Sequence, residues 1–127
     1  MTIPVLPAVV TLAAAIVYQG TMFAVAFARS QHKVKAPATS GPEEFERVLR
    51  VQQNTLEQMM FFLPEFWLAA LSSNTSVACL IGFIWVGARI AYGIGYWKAA
   101  KLRGPGFAIS LLASAVLLVM AIVGLFN

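Results

Sequence analysis

The stretch EEFERVLRVQQNTLEQMMFFLPEF, residues 43–66, begins as a charged helix and continues without a break into a strongly apolar one. It carries arginine, asparagine and glutamate into a segment long enough to cross a bilayer, which takes about 20 residues. An ionised side chain at mid-bilayer costs roughly 2.5–3.5 kcal/mol on insertion scales, so these groups are expected to avoid lipid. The stretch therefore predicts a spanning helix whose polar face meets other helices, a water-filled cleft or a ligand.

The composition of the 127-residue chain is that of a membrane protein. Hydrophobic residues make up 60% of it and charged residues 11%, whereas a soluble domain has roughly 25% charged residues. The net charge is +4, but the sequence has no basic stripe with interleaved aromatics, so nucleic-acid binding is not predicted. The single cysteine, Cys79, forms no intrachain disulfide, and no cysteine pair predicts a metal site. We interpret residues 1–127 as one integral membrane domain.

Four helices are predicted, at residues 3–29, 43–72, 77–102 and 107–126. The first is interpreted as a retained span and not as a signal peptide, because it is too long and no charged segment precedes it. Pro64 is expected to kink the second helix. Because every connection is short, the fold class is predicted to be an all-α, up-down four-helix transmembrane bundle.

Basic residues are concentrated in two of the three connections and are absent from the second connection and from both tails. The basic residues of the first and third connections are Arg29, Lys33, Lys35, Lys98, Lys101 and Arg103. By the positive-inside rule, loops one and three are expected to face the cytoplasm, with both termini on the opposite side.

Polar residues recur at helical spacing, so that each set shares one face of its helix. The set in helix two falls within about 80° of arc and consists of Arg47, Arg50, Asn54 and Glu57. The set in helix three falls within about 60° and consists of Arg89, Tyr92, Tyr96 and Arg103. The excess of arginine over acid predicts an anionic ligand. For Glu57, pairing with an arginine and contact with the ligand remain two open alternatives.

The segments FERVLRVQQNTLE, residues 45–57, and ARIAYGIGYWKAAKLRGP, residues 88–105, resemble the MAPEG family, the membrane-associated proteins in eicosanoid and glutathione metabolism. The resemblance covers nearly the whole chain and is greatest to the branch of leukotriene C synthase and the microsomal glutathione transferases. It implies a homotrimer that binds glutathione as co-substrate between subunits, without a metal. The implied partner substrate is a lipophilic electrophile or hydroperoxide, as in detoxification or eicosanoid synthesis.

By position, the resemblance implies that Arg103 is the catalytic residue that holds the glutathione thiolate. The implied glutathione ligands are Arg29, Arg50, Gln52, Asn54, Glu57, Tyr92 and Tyr96, and the polar face of helix three adds Arg89. Gln52 points away from the polar face of helix two, which is consistent with a contact to a neighbouring subunit's site. Gln58 stands where the leukotriene C synthase pattern has a tyrosine.

Two other functions fit the same residues. A non-catalytic member of the family, like the five-lipoxygenase-activating protein, would bind and present a lipid. The presence of Arg103 and of the helix-two ligand set favours an enzyme over that alternative. A small transporter or channel would instead use the two polar faces to pass a solute across the membrane.

Overall fold

The computed structural model describes residues 2–127, which form four α-helices and one short 3-10 helix. The helices are α1 (Val5–His32), α2 (Glu43–Ser72), α3 (Thr75–Lys98) and α4 (Gly104–Phe126), and the 3-10 helix is Ala100–Arg103. No strand occurs in this part of the chain. The bounds of α2 equal the predicted ones, whereas those of the other three helices differ by a few residues.

Helix ends differ from the predicted ones where local capping outweighs composition. α1 continues past Arg29 to His32, and Lys33 closes it in the left-handed region with a φ of 56°. α3 begins directly after Asn74, whose side chain accepts a hydrogen bond from the Val77 N–H. Such an amide at the N-cap satisfies one of the free N–H groups of the first turn. The polar turn between α2 and α3 is therefore shorter than predicted.

Consecutive helices run antiparallel, because contacts that move forward along one helix move backward along its neighbour. The contact pairs are Gln52–Tyr18 and Trp67–Thr11 for α1 and α2, Asn54–Arg89 and Phe62–Trp85 for α2 and α3, and Ser110–Arg89 and Phe107–Tyr92 for α3 and α4. This order is the up-down bundle that the short connections predicted. α1 and α4 each contact both α2 and α3, so the α2–α3 pair forms the centre of the bundle.

Within residues 2–127, three segments are long and apolar enough to cross a membrane: Val5–His32, Thr75–Lys98 and Ala100–Phe126. α2 has 30 residues, but its polar first half lowers its mean hydropathy. Large apolar side chains cover much of the outer surface, including Phe23 and Phe27 on α1. In a bundle with such long apolar helices this surface is suited to lipid, and the chain is an integral membrane protein.

The interior changes character along the bundle. In one half it is apolar, with Phe62 and Trp85 stacked at a centroid distance of 3.9 Å and Phe66 and Leu117 fully buried. All nine lysine and arginine residues lie in the other half, towards the connection at residues 33–42 and the 3-10 helix. We call that end of the molecule the basic end.

Close packing of α4 against α3 at the basic end depends on Gly106. A Cβ at Gly106 would collide with the backbone of Tyr92 and with the carbonyl oxygen of Ala88. The absence of a side chain there brings the start of α4 directly against the turn of α3 that carries Tyr92. The two helices therefore form one wall at this end of the bundle.

Candidate functional site

A cleft of about 420 Å³ opens at the basic end between α2, α3 and the start of α4. This volume lies within the range of roughly 300–1,000 Å³ that is usual for small-molecule sites. Its lining includes the predicted residues Arg50, Asn54, Glu57, Tyr92, Tyr96 and Arg103. We call it the polar cleft. The chain thus brings together the central part of the polar face of α2 and the two tyrosines of α3.

Three further residues line the polar cleft and were not predicted: Gln53, Gly104 and Phe107. Gln53 follows Arg50 by three positions and precedes Glu57 by four, so helical spacing alone could have identified it. Phe107 belongs to a wholly apolar helix, and nothing in that composition distinguishes it from a lipid-facing residue. Its place in the cleft follows from the close packing of α4 on α3.

The acid of the polar cleft, Glu57, makes no ion pair within residues 2–127. The ion pairs in that part of the chain are Arg47 with Glu43, at 3.0 Å, and His32 with Glu44, at 3.7 Å. Of the two alternatives left open by the sequence, pairing of Glu57 with an arginine of its own chain therefore has no support in the structure. Its carboxylate is exposed and is free to meet a cationic group of a ligand.

Arg103 reaches the polar cleft from the 3-10 helix and not from α3. α3 ends at Lys98, so the predicted continuation of that helix to residue 102 was wrong. The 3-10 helix folds back onto Gly95, where a Cβ would lie 2.6 Å from the carbonyl oxygen of Leu102. Arg103 then donates a hydrogen bond from Nη1 to Oη of Tyr96, over 3.2 Å. Backbone geometry, and not helical periodicity, joins Arg103 to the site.

Arg89, a predicted ligand, does not line the polar cleft but lies directly behind it. Its side chain is only 1% exposed. Its Nη2 donates to Oδ1 of Asn54 at 2.8 Å and to Oγ1 of Thr55 at 2.9 Å, and its Nη1 donates to Oγ of Ser110 at 3.2 Å. The guanidinium also lies 4.0 Å from the centroid of the Tyr92 ring. Arg89 therefore holds two side chains that line the cleft.

The buried charge of Arg89 has only neutral hydrogen-bond partners in the described part of the chain. A cation without a counterion in a membrane interior is costly, and a nearby anion would offset that cost. Because Asn54 directs Oδ1 towards Arg89, its amide N–H groups are left for the cleft. The interior thus adds both positive potential and hydrogen-bond donors to the site.

Comparison with known proteins places the chain in a family. Residues 7–123 match the model of the MAPEG family. The chain belongs to the MAPEG family. It is 44% identical over 119 residues to an uncharacterized protein of Synechocystis sp., covering 94% of this chain and 87% of that protein.

Other similar proteins have names that state an activity, among them two of Mus musculus. Microsomal glutathione S-transferase 2 of Mus musculus is 41% identical over 97 residues, which cover 76% of this chain and 66% of that protein. Leukotriene C4 synthase of Mus musculus is 38% identical over 118 residues, which cover 93% of this chain and 79% of that protein.

In this MAPEG chain, Arg29 and Gln52 lie outside the polar cleft. Arg29 donates from Nη1 to the carbonyl oxygen of Ala38 at 2.7 Å, and its guanidinium lies 5.2 Å from the centroid of the Phe45 ring. Gln52 donates to Oη of Tyr18 on α1, over 3.3 Å. Within one chain these two predicted ligands are therefore not brought together with the other site residues.

Gln58, the position at which this MAPEG chain departs from the leukotriene C synthase pattern, points into the bundle. It is 3% exposed, and neither polar atom of its amide has a hydrogen-bond partner within residues 2–127. It does not line the polar cleft. That part of the chain also contains no group of three or more histidine, cysteine or acidic residues arranged to hold a metal ion.

Proposed function

We propose that this protein is a membrane-bound glutathione transferase that activates glutathione as its thiolate for attack on a lipophilic electrophile. The observation that carries the proposal is the convergence of Arg50, Asn54, Glu57, Tyr96 and Arg103 on the polar cleft. The names of the mouse transferase and the mouse leukotriene C4 synthase support a glutathione-related activity.

The polar groups of the cleft complement glutathione, which carries two carboxylates, one ammonium group and one thiol. The guanidinium of Arg50 suits a carboxylate through paired hydrogen bonds. The amide N–H groups of Asn54 suit the same kind of acceptor, and the carboxylate of Glu57 suits the ammonium group. The buried charge of Arg89 favours an anion on the Asn54 side.

Arg103 is assigned to the sulfur. A free thiol has a pKa of about 8.5, and a neighbouring cation lowers it. Each unit of lowering corresponds to about 1.4 kcal/mol of stabilisation of the anion. A guanidinium stays charged at every relevant pH, so Arg103 stabilises the thiolate but does not accept its proton. Tyr96 holds the guanidinium in place through the hydrogen bond at 3.2 Å.

The second substrate is assigned to the bilayer side of the cleft, where the lining residue Phe107 is 37% exposed. In conjugation, the thiolate forms a carbon–sulfur bond while the electrophile opens a ring or releases its leaving group. A hydroperoxide would instead be reduced to an alcohol and water, with two glutathione molecules oxidised to the disulfide. The basic end is assigned to the cytoplasm by the positive-inside rule, where glutathione is available.

Arg29 and Gln52 are proposed to complete the site of a neighbouring subunit in a homotrimer. Co-expression of Arg103→Ala chains with Arg29→Ala chains tests this. The Arg29→Ala chain still supplies Arg103, and the Arg103→Ala chain still supplies Arg29. Where these two chains meet in the right order, the interface has both residues. Mixed assemblies should therefore recover part of the activity that each variant lacks alone. If mixed assemblies form and show only the mean of the two separate activities, Arg29 does not act across a subunit boundary.

The decisive experiment is thiolate absorbance on adding glutathione to the purified protein, together with conjugation of a generic electrophile in detergent. Wild type should show both, and Arg103→Ala should lose most of both. Lys101→Ala is the matched control, because Lys101 is an exposed cation of the same 3-10 helix that does not line the cleft. Equal behaviour of wild type and Arg103→Ala would refute the enzyme assignment and favour a protein that only binds and presents lipid.

A further inference from the structure

A second cleft, of about 390 Å³, opens at the basic end on the α1 side of the bundle. It lies between the last turns of α1, the first turns of α2 and the end of α3, whereas the polar cleft lies on the α4 side. The residues that give it chemical character are Phe27, His32, Glu44, Arg47, Trp97 and Lys98. We call it the second cleft. None of its residues belongs to the proposed glutathione site.

Arg47 is the more buried of the two cations that line the second cleft. Its side chain is 14% exposed, and its Nη1 pairs with Glu43 at 3.0 Å. Nη2 makes only a long contact of 3.5 Å to the carbonyl oxygen of Trp97, and Nε is buried with no partner in the described part of the chain. The chain's own groups therefore leave part of the donor capacity of the guanidinium unused, and Lys98 adds a second, exposed cation.

The acidic groups around the second cleft lie at its outer rim. Glu44 contacts His32 at 3.7 Å with a side chain that is 71% exposed, and Glu43 is 81% exposed. Ion pairs with such exposed acids contribute little, because water solvates their charges, so Glu43 offsets the mostly buried guanidinium of Arg47 only in part. All nine basic residues of the chain lie in this half of the bundle. The inner part of the cleft therefore favours an anion.

The second cleft continues into an apolar surface on α1. Phe27 at its edge is 70% exposed, and the exposed residues Phe23, Ile16 and Leu12 lie on the same side of the helix. These positions fall within about 60° of arc on a helix, so they form one strip that runs away from the basic end. Trp97, which is 37% exposed, lines the second cleft together with Phe27. A charged cleft joined to a long apolar strip suits an amphiphile.

We propose that the second cleft binds the phosphodiester head of an anionic phospholipid, whose acyl chains lie along the apolar strip of α1. Arg47 and Lys98 contact the phosphate, and Phe27 and Trp97 flank the glycerol region, the depth at which aromatic side chains concentrate in membrane proteins. Each lysine or arginine near an anionic membrane surface increases the affinity for anionic lipid about fivefold. The proposal is independent of glutathione chemistry and is testable in the absence of glutathione.

The test measures quenching of Trp97 fluorescence in vesicles that contain phosphatidylglycerol with brominated acyl chains, or brominated phosphatidylcholine at the same mole fraction. A Trp97→Phe variant gives the contribution of the two other tryptophans, which is subtracted. In wild type, brominated phosphatidylglycerol should reach half-maximal quenching at a several-fold lower mole fraction than brominated phosphatidylcholine. Inorganic phosphate should not displace the brominated phosphatidylglycerol.

Charge variants decide whether the preference belongs to the second cleft. Lys98→Gln should reduce the preference for phosphatidylglycerol about fivefold, and Arg47→Gln should reduce it by at least as much. Glu44→Gln should increase it, and a fold defect would not produce such a gain. Lys101→Gln, an exposed cation outside the cleft, should leave it unchanged.

Three results would overturn the proposal. Equal quenching by the two brominated lipids in wild type would show that the cleft does not select an anionic head. An equal loss in Lys101→Gln and Lys98→Gln would show a diffuse surface attraction with no built site. Displacement of brominated phosphatidylglycerol by millimolar inorganic phosphate would show an anion site that does not require a lipid.

Discussion

Arg89 donates a hydrogen bond to Oδ1 of Asn54 over 2.8 Å, so a fully buried cation holds a side chain that lines the polar cleft. The same guanidinium lies against the ring of Tyr92, another lining residue. Arg89 comes from α3 and Asn54 from α2, so the contact also fixes the two walls of the cleft relative to each other. Its role in the proposed reaction is to position these groups.

Arg89→Met is expected to lower glutathione affinity about tenfold, or about 1.4 kcal/mol, because the Asn54 amide loses its fixed orientation and the cleft loses positive potential. Asn54→Leu should lower affinity by a similar factor. The double variant should be little worse than either single one, with a coupling energy of about 1 kcal/mol, as for residues that share a hydrogen bond. Calorimetric titration of the four proteins with glutathione measures this coupling.

The pair Arg89→Met and Arg50→Ala serves as the control for that cycle, because no hydrogen bond joins these two residues. Their effects on binding free energy should add within about 0.5 kcal/mol. Strict additivity of Arg89→Met with Asn54→Leu would contradict the positioning role.

Tyr96→Phe is expected to act on the sulfur through Arg103, since it removes the hydroxyl that holds the guanidinium at 3.2 Å. A less fixed cation stabilises the thiolate less, so the pKa of bound glutathione should rise towards its free value of about 8.5. The acidic limb of the pH profile of kcat should then shift to higher pH, with turnover at pH 7 reduced about threefold to tenfold. Glutathione affinity should change less than turnover. An unshifted pH profile would contradict this link.

The polar face of α2 shows what sequence periodicity captures. The spacing of Arg50, Asn54 and Glu57 predicts one shared face, and all three line the polar cleft. Periodicity gives the angle of a residue around its helix, and on α2 the angle is sufficient because the neighbouring helices leave that face open. Arg47 has a similar angle but lies at the second cleft, because the end of α3 covers it there.

Sequence periodicity does not give the depth of a side chain in the bundle, nor the place where the chain turns back at the end of a helix. Arg89 shares its face with Tyr92, but it lies one turn deeper, where Ser110 of α4 closes it off from the cleft. Arg103 was placed by extending α3, which in fact ends at Lys98. Its position depends on a tight turn that packs on Gly95, and a wheel diagram contains no information about such a turn.

Glu57→Gln is expected to weaken glutathione binding about tenfold, because the neutral amide no longer attracts the ammonium group of the ligand. A glutathione analogue without the α-amino group should bind wild type and Glu57→Gln with equal affinity. Comparison of the two ligands by calorimetry on both proteins isolates the charge pair from any general change in the cleft. If the variant weakens the deaminated analogue as much as glutathione, Glu57 does not bind the ammonium group.

Gly95→Ala is expected to reduce turnover at least tenfold while leaving glutathione affinity within about threefold. A Cβ there would lie 2.6 Å from the carbonyl oxygen of Leu102, closer than such atoms approach, so the 3-10 helix that carries Arg103 must move. The residues assigned to the carboxylates and ammonium of glutathione lie on other elements and stay in place. Gly87→Ala is the matched control on α3, because a Cβ at Gly87 meets nothing within 4 Å. Steady-state kinetics beside calorimetry separates the two effects. If Gly95→Ala kept full turnover, or if Gly87→Ala lost as much, the position of Arg103 would not depend on this contact.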